Sequence, residues 1–161
     1  MRQPLFFCKI NCINKALYSQ INFIMNNQTL IAKITWVIVL LFILMIPCIY
    51  NAFPLVTSDS GTYIASGLQG WVPIDRPLFY GLFVGFLSFK HSLWYPIIFQ
   101  NLILAILLFK MYQQFLSSVK NGMVYLFITL IICALTGVAW FSVQIMPDIF
   151  VAIGFFSFVL L

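Results

Sequence analysis

The feature that most limits this chain is where its few acids fall. One polar island, Phe53 to Pro77, separates long apolar runs and reads FPLVTSDSGTYIASGLQGWVPIDRP. It holds two of the three acidic residues, Asp59 and Asp75, beside Arg76, and the third, Asp148, heads the last apolar run. The chain is 63% hydrophobic and only 7% charged. An ionisable group at the edge of an apolar run is costly wherever water is scarce, so these positions bound what the protein can do.

Soluble domains carry roughly 25% charged residues, and a mean hydropathy of +1.08 removes this chain from that class. Backbone that faces lipid must satisfy its own hydrogen bonds, which leaves helices or closed barrels. Barrel strands alternate polar and apolar residues, whereas Trp36 to Ile46 is apolar on every side. The expected fold class is therefore all-α, a polytopic transmembrane helical bundle with juxtamembrane helices in the first outer loop.

The net charge of +5 points in the same direction. Arg2, Lys9, Lys15 and Lys33 precede or open the first apolar run, and Lys110 and Lys120 bracket a short polar stretch. That is positive-inside patterning and not a nucleic-acid surface, so membrane lipids are expected partners and nucleic acid is not. Cys48 and Cys133 lie inside apolar runs and read as small core residues. Cys8 and Cys12 have no second Cys or His pair at ligand spacing, so neither zinc nor a disulfide framework is expected.

Residues 1–30 mix polar and apolar groups and read as a cytoplasmic lead, with Met25 as an alternative start. Asn27-Gln28-Thr29 matches a glycosylation sequon but falls on the cytoplasmic side. The following run is long for a cleaved signal peptide and lacks a small-x-small exit. It is placed as a retained first span at 31–52, close to the ~20 residues a bilayer core needs. An outer loop over 53–93 follows. Within it, Ser58 or Asp59 can cap a short helix from Ser60 to Leu68, with Gly67 or Gly70 to end it. Pro77 suits the first position of a new helix.

That next stretch, Leu78 to Phe89, decides the topology. It is too short for a core of roughly 30 Å at about 1.5 Å per residue. If it spanned, Lys110 and Lys120 would lie outside and Asp148 would be parted from the other acids. Laid along the membrane face, it allows spans at 94–112 and 123–141 and an incomplete one over 148–161. All three acids then share the outer side, and six of the eight bases lie inside. The run to Leu161 has no polar exit, so the chain reads as the N-terminal part of a longer protein. The expected location is a bacterial inner membrane with the N-terminus cytoplasmic.

Asp59 and Tyr63 are four apart and share a face on a helix. Arg76 is followed by Pro77 and the aromatic pair Phe79 and Tyr80. Carboxylates and one guanidinium on one side of a membrane suit transfer chemistry on a phosphate-bearing lipid. A carboxylate takes the proton from an attacking hydroxyl, while the guanidinium holds the departing phosphate. Plainer roles fit the same residues: Asp59 as a helix cap, Asp148 as an acid favoured by a helix dipole, and Arg76 as a surface charge or a partner for Asp59. Trp71, Trp94 and Trp140 fall at span edges as interfacial anchors, and His91 beside Lys90 reads as a headgroup-level residue. Gln100 and Asn101 inside a span are expected to bond between helices. Gly81 and Gly85 form a small-xxx-small pair.

The order of a first span, Asp59-Ser60-Gly61-Thr62-Tyr63, Arg76-Pro77-Leu78-Phe79-Tyr80 and a later Pro147-Asp148-Ile149-Phe150 resembles the C-type membrane glycosyltransferases. That group includes protein O-mannosyltransferases and the aminoarabinose transferases of lipid A. The resemblance covers residues 31–161 and implies transfer of a sugar from a polyprenyl-phosphate donor to a hydroxyl on the outer face. It implies Asp59 as the catalytic carboxylate and Arg76 as the phosphate contact, with Asp148, Tyr63 and Tyr80 binding substrate. Ser60 stands where the family has a second acid, and Arg-Pro-Leu where it has Lys-Pro-Pro, which leaves metal use and subfamily open. No cofactor is expected, and this portion is expected to be inactive alone. The competing reading is a small helical membrane protein that binds partners or assists transport without catalysis.

Overall fold

The structure, a computed structural model, describes residues 30–72, 74, 76–115 and 122–161. The N-terminal lead with Cys8 and Cys12, Asp75, and the connection that carries Lys120 lie outside the described residues. The chain divides into two units, Met1–Thr35 and Trp36–Leu161, and the second holds both apolar clusters and the candidate site.

Among the described residues the fold is all-helical. Helix α1 runs Leu30–Tyr50 and is followed by α2 Ser60–Gln69, α3 Leu78–Ser88 and α4 Trp94–Phe115. Then come α5 Gly122–Leu135, α6 Val138–Ser142 and α7 Asp148–Val159. Two of them, α1 and α4, are long and apolar enough to cross a membrane. Their observed ends lie within three residues of the spans expected at 31–52 and 94–112. The expected outer loop contains two helices, α2 and α3, and the second has 11 residues, as its short apolar stretch predicts.

Each helix end has a local cause. At the end of α1, Asn51 Nδ2 donates to the Pro47 carbonyl at 2.9 Å, and Ala52 turns into the left-handed region at φ 56°. Gly70, at φ 72°, ends α2 and donates its N–H to the Ser66 carbonyl. Asp59 does not cap α2 through its side chain. The hydroxyl of Ser60, one residue on, accepts the Thr57 N–H at 2.9 Å and meets Thr57 Oγ1 at 3.1 Å. The expected side-chain cap is thus not made: the Asp59 carboxylate pairs with Arg76, and the Ser60 hydroxyl binds backbone upstream of the helix and not a helical N–H.

The single span expected over 123–141 is broken. Thr136 Oγ1 donates to the Ile132 carbonyl at 2.6 Å and takes a long 3.4 Å contact from the Val138 N–H. The hydroxyl closes α5 and opens α6, as Thr does when it competes with the helical backbone. After α6 the chain passes through turns and bends, with a single bridge from Gln144 to Leu55, before α7 begins. Hydropathy alone joined two elements, α5 and α6, that a threonine and a glycine separate.

Two apolar clusters organise the fold. One joins Leu40 and Leu44 of α1 to Leu104, Ala105, Phe109 and Tyr112 of α4 and Ile149 and Ile153 of α7. The other gathers Met45, Cys48, Tyr63, Tyr80, Val84 and Ile97 around Val143 and Ile145 of the segment between α6 and α7. Helices α2 and α3 cross at glycines. A Cβ on Gly67 would overlap the Gly81 carbonyl and the Gly85 backbone, and one on Gly85 would overlap Gly67. Gly67, expected to end α2, is instead its crossing point, and the Gly81/Gly85 pair marks the partner surface.

Candidate functional site

The polar island folds so that its ends meet. Asp59 sits at the start of α2, and Arg76 lies two residues before α3. Arg76 Nη1 donates to Asp59 Oδ2 at 2.9 Å, and Nη2 donates to Oδ1 at 2.9 Å. This is the two-pronged geometry in which a guanidinium matches a carboxylate. The contact links residues 17 apart, and the side chains stay 34% and 30% exposed. A pair this open to solvent contributes less than about 1 kcal/mol to stability. It therefore orients two charges more than it holds the fold.

What holds the site is the segment from the end of α6 toward α7. Backbone removed from water must find a partner for its carbonyls. Here four consecutive ones, from 142 to 145, do. The Ser142 carbonyl accepts from Gln100 Nε2 and from Asn101 Nδ2, both at 2.8 Å. The Val143 carbonyl accepts the Leu55 N–H at 3.2 Å, and Leu55 returns its own carbonyl to the Ile145 N–H at 3.0 Å. The Gln144 carbonyl takes Gln100 Nε2 at 3.0 Å, and the Ile145 carbonyl takes the Ser60 hydroxyl at 2.8 Å. Ser60, fully buried, thus ties the residue beside Asp59 to the segment that delivers Asp148.

Tyr63 and Tyr80 are both buried, their rings meeting edge to face at 5.2 Å between centroids. The Tyr80 hydroxyl donates to Gln100 Oε1 at 3.3 Å, so one amide serves α3, α4 and the segment before α7 together. Burial pushes the Tyr80 phenol well above its ordinary value; a hydrogen bond with the Met146 backbone opposes this in part, and the charges of Tyr63 and Asp148 add smaller upward pushes. A folded-state value above the unfolded one means stability that is present below about pH 10 and lost as pH rises through the folded value. Alkaline unfolding of the Tyr80→Phe variant, followed by helical circular dichroism, is expected to show a shallower loss of stability above pH 10 than the parent. An unchanged slope would mean the phenol is not held neutral by its surroundings.

Asp148 opens α7 and is exposed. With Ser142, Gln144, Leu104 and Phe156 it lines a cavity of about 290 Å³. On the other side of the same helical turn, Pro147 and Phe150 join Pro77, Phe79, Tyr80 and Phe83 around an almost wholly apolar cleft of about 310 Å³. The structure thus brings Asp59 and Arg76 into direct contact and places Tyr80 in the cleft that opens at Pro77, next to Arg76 in the chain, whereas Asp148 lines the other cavity and is not brought to the pair. Tyr63 supports Tyr80 from behind. Among the described residues no three His, Cys, Asp or Glu side chains form a metal-binding group.

The residues that sequence reading passed over are Thr57, Ser142 and Gln144, while Ser60 was read as a helix start and not as the link to Ile145. Their signal was present in outline: Ser142 and Gln144 interrupt an otherwise apolar stretch just before Pro147. Gln100 and Asn101 do bond between elements as expected, though their partner is backbone and not another helix's side chain. Compared with protein families, curated proteins and solved structures, the chain matches none.

Proposed function

We propose that the chain is part of a polytopic membrane protein in which α1 and α4 cross the bilayer, with Asp59, Arg76 and Asp148 on the outer side. We further propose that it handles a polyprenyl-phosphate sugar as a C-type glycosyltransferase does. The observation that carries this reading is the Asp59–Arg76 pair beside an apolar cleft. A guanidinium suits a phosphate, a carboxylate suits a hydroxyl proton, and an aromatic and proline-lined cleft suits hydrocarbon.

In the proposed reaction the donor phosphate docks on Arg76 and draws the guanidinium from Asp59. The freed carboxylate accepts the proton of the acceptor hydroxyl as its oxygen attacks the anomeric carbon. The bond from that carbon to the phosphate oxygen breaks, and polyprenyl phosphate leaves with the electron pair. Charge on the departing phosphate is steadied by Arg76.

The roles of the two residues separate in an experiment. In the membrane protein that carries this chain, Arg76→Ala is expected to weaken binding of a polyprenyl-phosphate sugar about tenfold, the loss of a charge-assisted contact. Asp59→Asn is expected to leave that binding equal or tighter, because the carboxylate no longer competes for the guanidinium. The same variant should lower sugar transfer by about 100-fold or more, the range for removing a general base. Turnover at the parental rate in Asp59→Asn would end the assignment.

One observation favours the competing, non-catalytic reading. Both Asp59 oxygens are already taken by Arg76, so the pair also serves as a mechanical clasp around α2. Under that reading neither substitution alters any binding of the donor.

A further inference from the structure

Helix α3 is apolar on both of its faces. Toward the fold it buries Tyr80, Gly81, Val84 and Ser88. Away from it, Phe79, Leu82, Phe86 and the capping Phe89 stand 85%, 51%, 77% and 61% exposed. Their spacing of three, four and three residues is one stripe of a helix. The helix's polar side chains, Tyr80 and Ser88, both lie on the buried face. A helix that is hydrophobic all round belongs where both faces are covered, and the described residues bury one.

What covers the other follows from where the stripe leads. Phe89 lies 6.3 Å from Phe86 and 6.1 Å from Tyr95 between ring centroids, and Tyr95 is in the first turn of α4. Tyr95, Ile98 and Phe99 are themselves exposed, so the stripe continues through the Phe89–Tyr95 ring contact onto the face of a helix long enough to cross a membrane. At the corner, Phe89 and Lys90 adopt left-handed backbone, φ 49° and 57°, which turns α3 away from the line of α4. Lys90 and His91 are exposed at that corner, beside the aromatic rings.

We propose that the Phe79–Leu82–Phe86–Phe89 stripe is a docking surface for the bilayer. It seats among the acyl chains of the leaflet that α4 enters, with the Lys90 ammonium among the phosphates of anionic lipids. Aromatic residues prefer this depth, and a lysine there keeps its stem in hydrocarbon and its charge in the headgroups. The inference rests on the membrane reading of α4 and is independent of the proposed transfer chemistry.

The test uses the full chain with Cys8, Cys12, Cys48 and Cys133 replaced by alanine, in vesicles of phosphatidylcholine and phosphatidylglycerol. Spin labels are placed by Leu82→Cys, Phe86→Cys and, as the reference within α4, Ile106→Cys. All three positions point away from the fold, so the labels displace no packed residue. Collisions with oxygen, which concentrates in the bilayer, are compared with collisions with a water-soluble nickel chelate. Labels at 82 and 86 are expected to favour oxygen, as at 106. If they favour the nickel chelate while 106 favours oxygen, the stripe lies in water and the proposal is overturned with the membrane reading intact. Shielding of 82 and 86 from both agents would place protein, such as a second copy, on the stripe and would also overturn it. If 106 favours nickel as well, the membrane reading falls too.

Discussion

Replacing Gly67 by alanine is expected to destabilise the protein by about 3 kcal/mol, the upper range for forcing an extra carbon into a packed contact. Gly85→Ala should behave alike. The reason is the identity of the neighbour. At both positions the added Cβ would overlap backbone of the facing helix, the Gly81 carbonyl and Gly85 amide in one case and Gly67 in the other. Backbone cannot rotate out of the way as a side chain can, so the helices must part. Parting them unseats Tyr63 and Tyr80, which meet just beside the crossing, and loosens the loop that holds Arg76 against Asp59. Since whole domains are stable by only about 5–15 kcal/mol, the loss should be plain in thermal unfolding in detergent or nanodiscs. Gly61 supplies the control: nothing lies within 4 Å of a Cβ there. Gly61→Ala should be neutral or stabilising by up to about 1 kcal/mol, as alanine is the better helix former. Equal effects at Gly61 and Gly67 would refute the close crossing.

The second large effect is expected at the paired amides of α4, and its signature is non-additivity. Gln100→Leu removes donors to two carbonyls, Ser142 and Gln144, and the acceptor of the Tyr80 hydroxyl. Leaving buried polar groups unpaired costs about 1–3 kcal/mol. Asn101→Leu should cost less, for two reasons. The Ser142 carbonyl keeps its bond from Gln100, and the Asn101 Oδ1 atom, buried without a partner, is removed with the side chain. The double variant strips the Ser142 carbonyl of both donors. Its loss should therefore exceed the sum of the single losses, a coupling that a double-mutant cycle on unfolding free energy reads directly. Simple additivity would show that the segment before α7 does not depend on these amides.

Those amides show where sequence reading stops. Gln100 and Asn101 stand out in an apolar helix, so a polar partner was expected, yet nothing in their spacing names backbone at Ser142 as that partner. The contact joins residues 41 and 42 positions apart. Glycine behaves the same way. The small-xxx-small pair at Gly81 and Gly85 is visible in the sequence, whereas the glycine it meets, Gly67, read as a helix end. Asp59 and Arg76 were each legible as unusual charges in an apolar chain. Arg76 as a partner for Asp59 was one of two readings open to the guanidinium, and the structure forms that pair. Sequence could not choose it over a lone surface charge, because a loop of that length can close on either charge or on water.

Length and hydropathy by themselves determined the all-helical class, the two long apolar helices and the short reach of α3, since these depend on residues adjacent in sequence and on 1.5 Å of rise per residue, roughly. Tertiary structure decided that Asp59 turns to Arg76 instead of capping α2, and that a non-helical segment between α6 and α7 underlies the site. In that segment the carbonyls of residues 142 to 145 take donors from Gln100, Asn101, Leu55 and Ser60, all distant in the chain, whereas the break at Thr136 is local, its hydroxyl bonding the Ile132 carbonyl four residues back. Hydrophobic pattern is local and additive; the pairing of buried polar groups is neither.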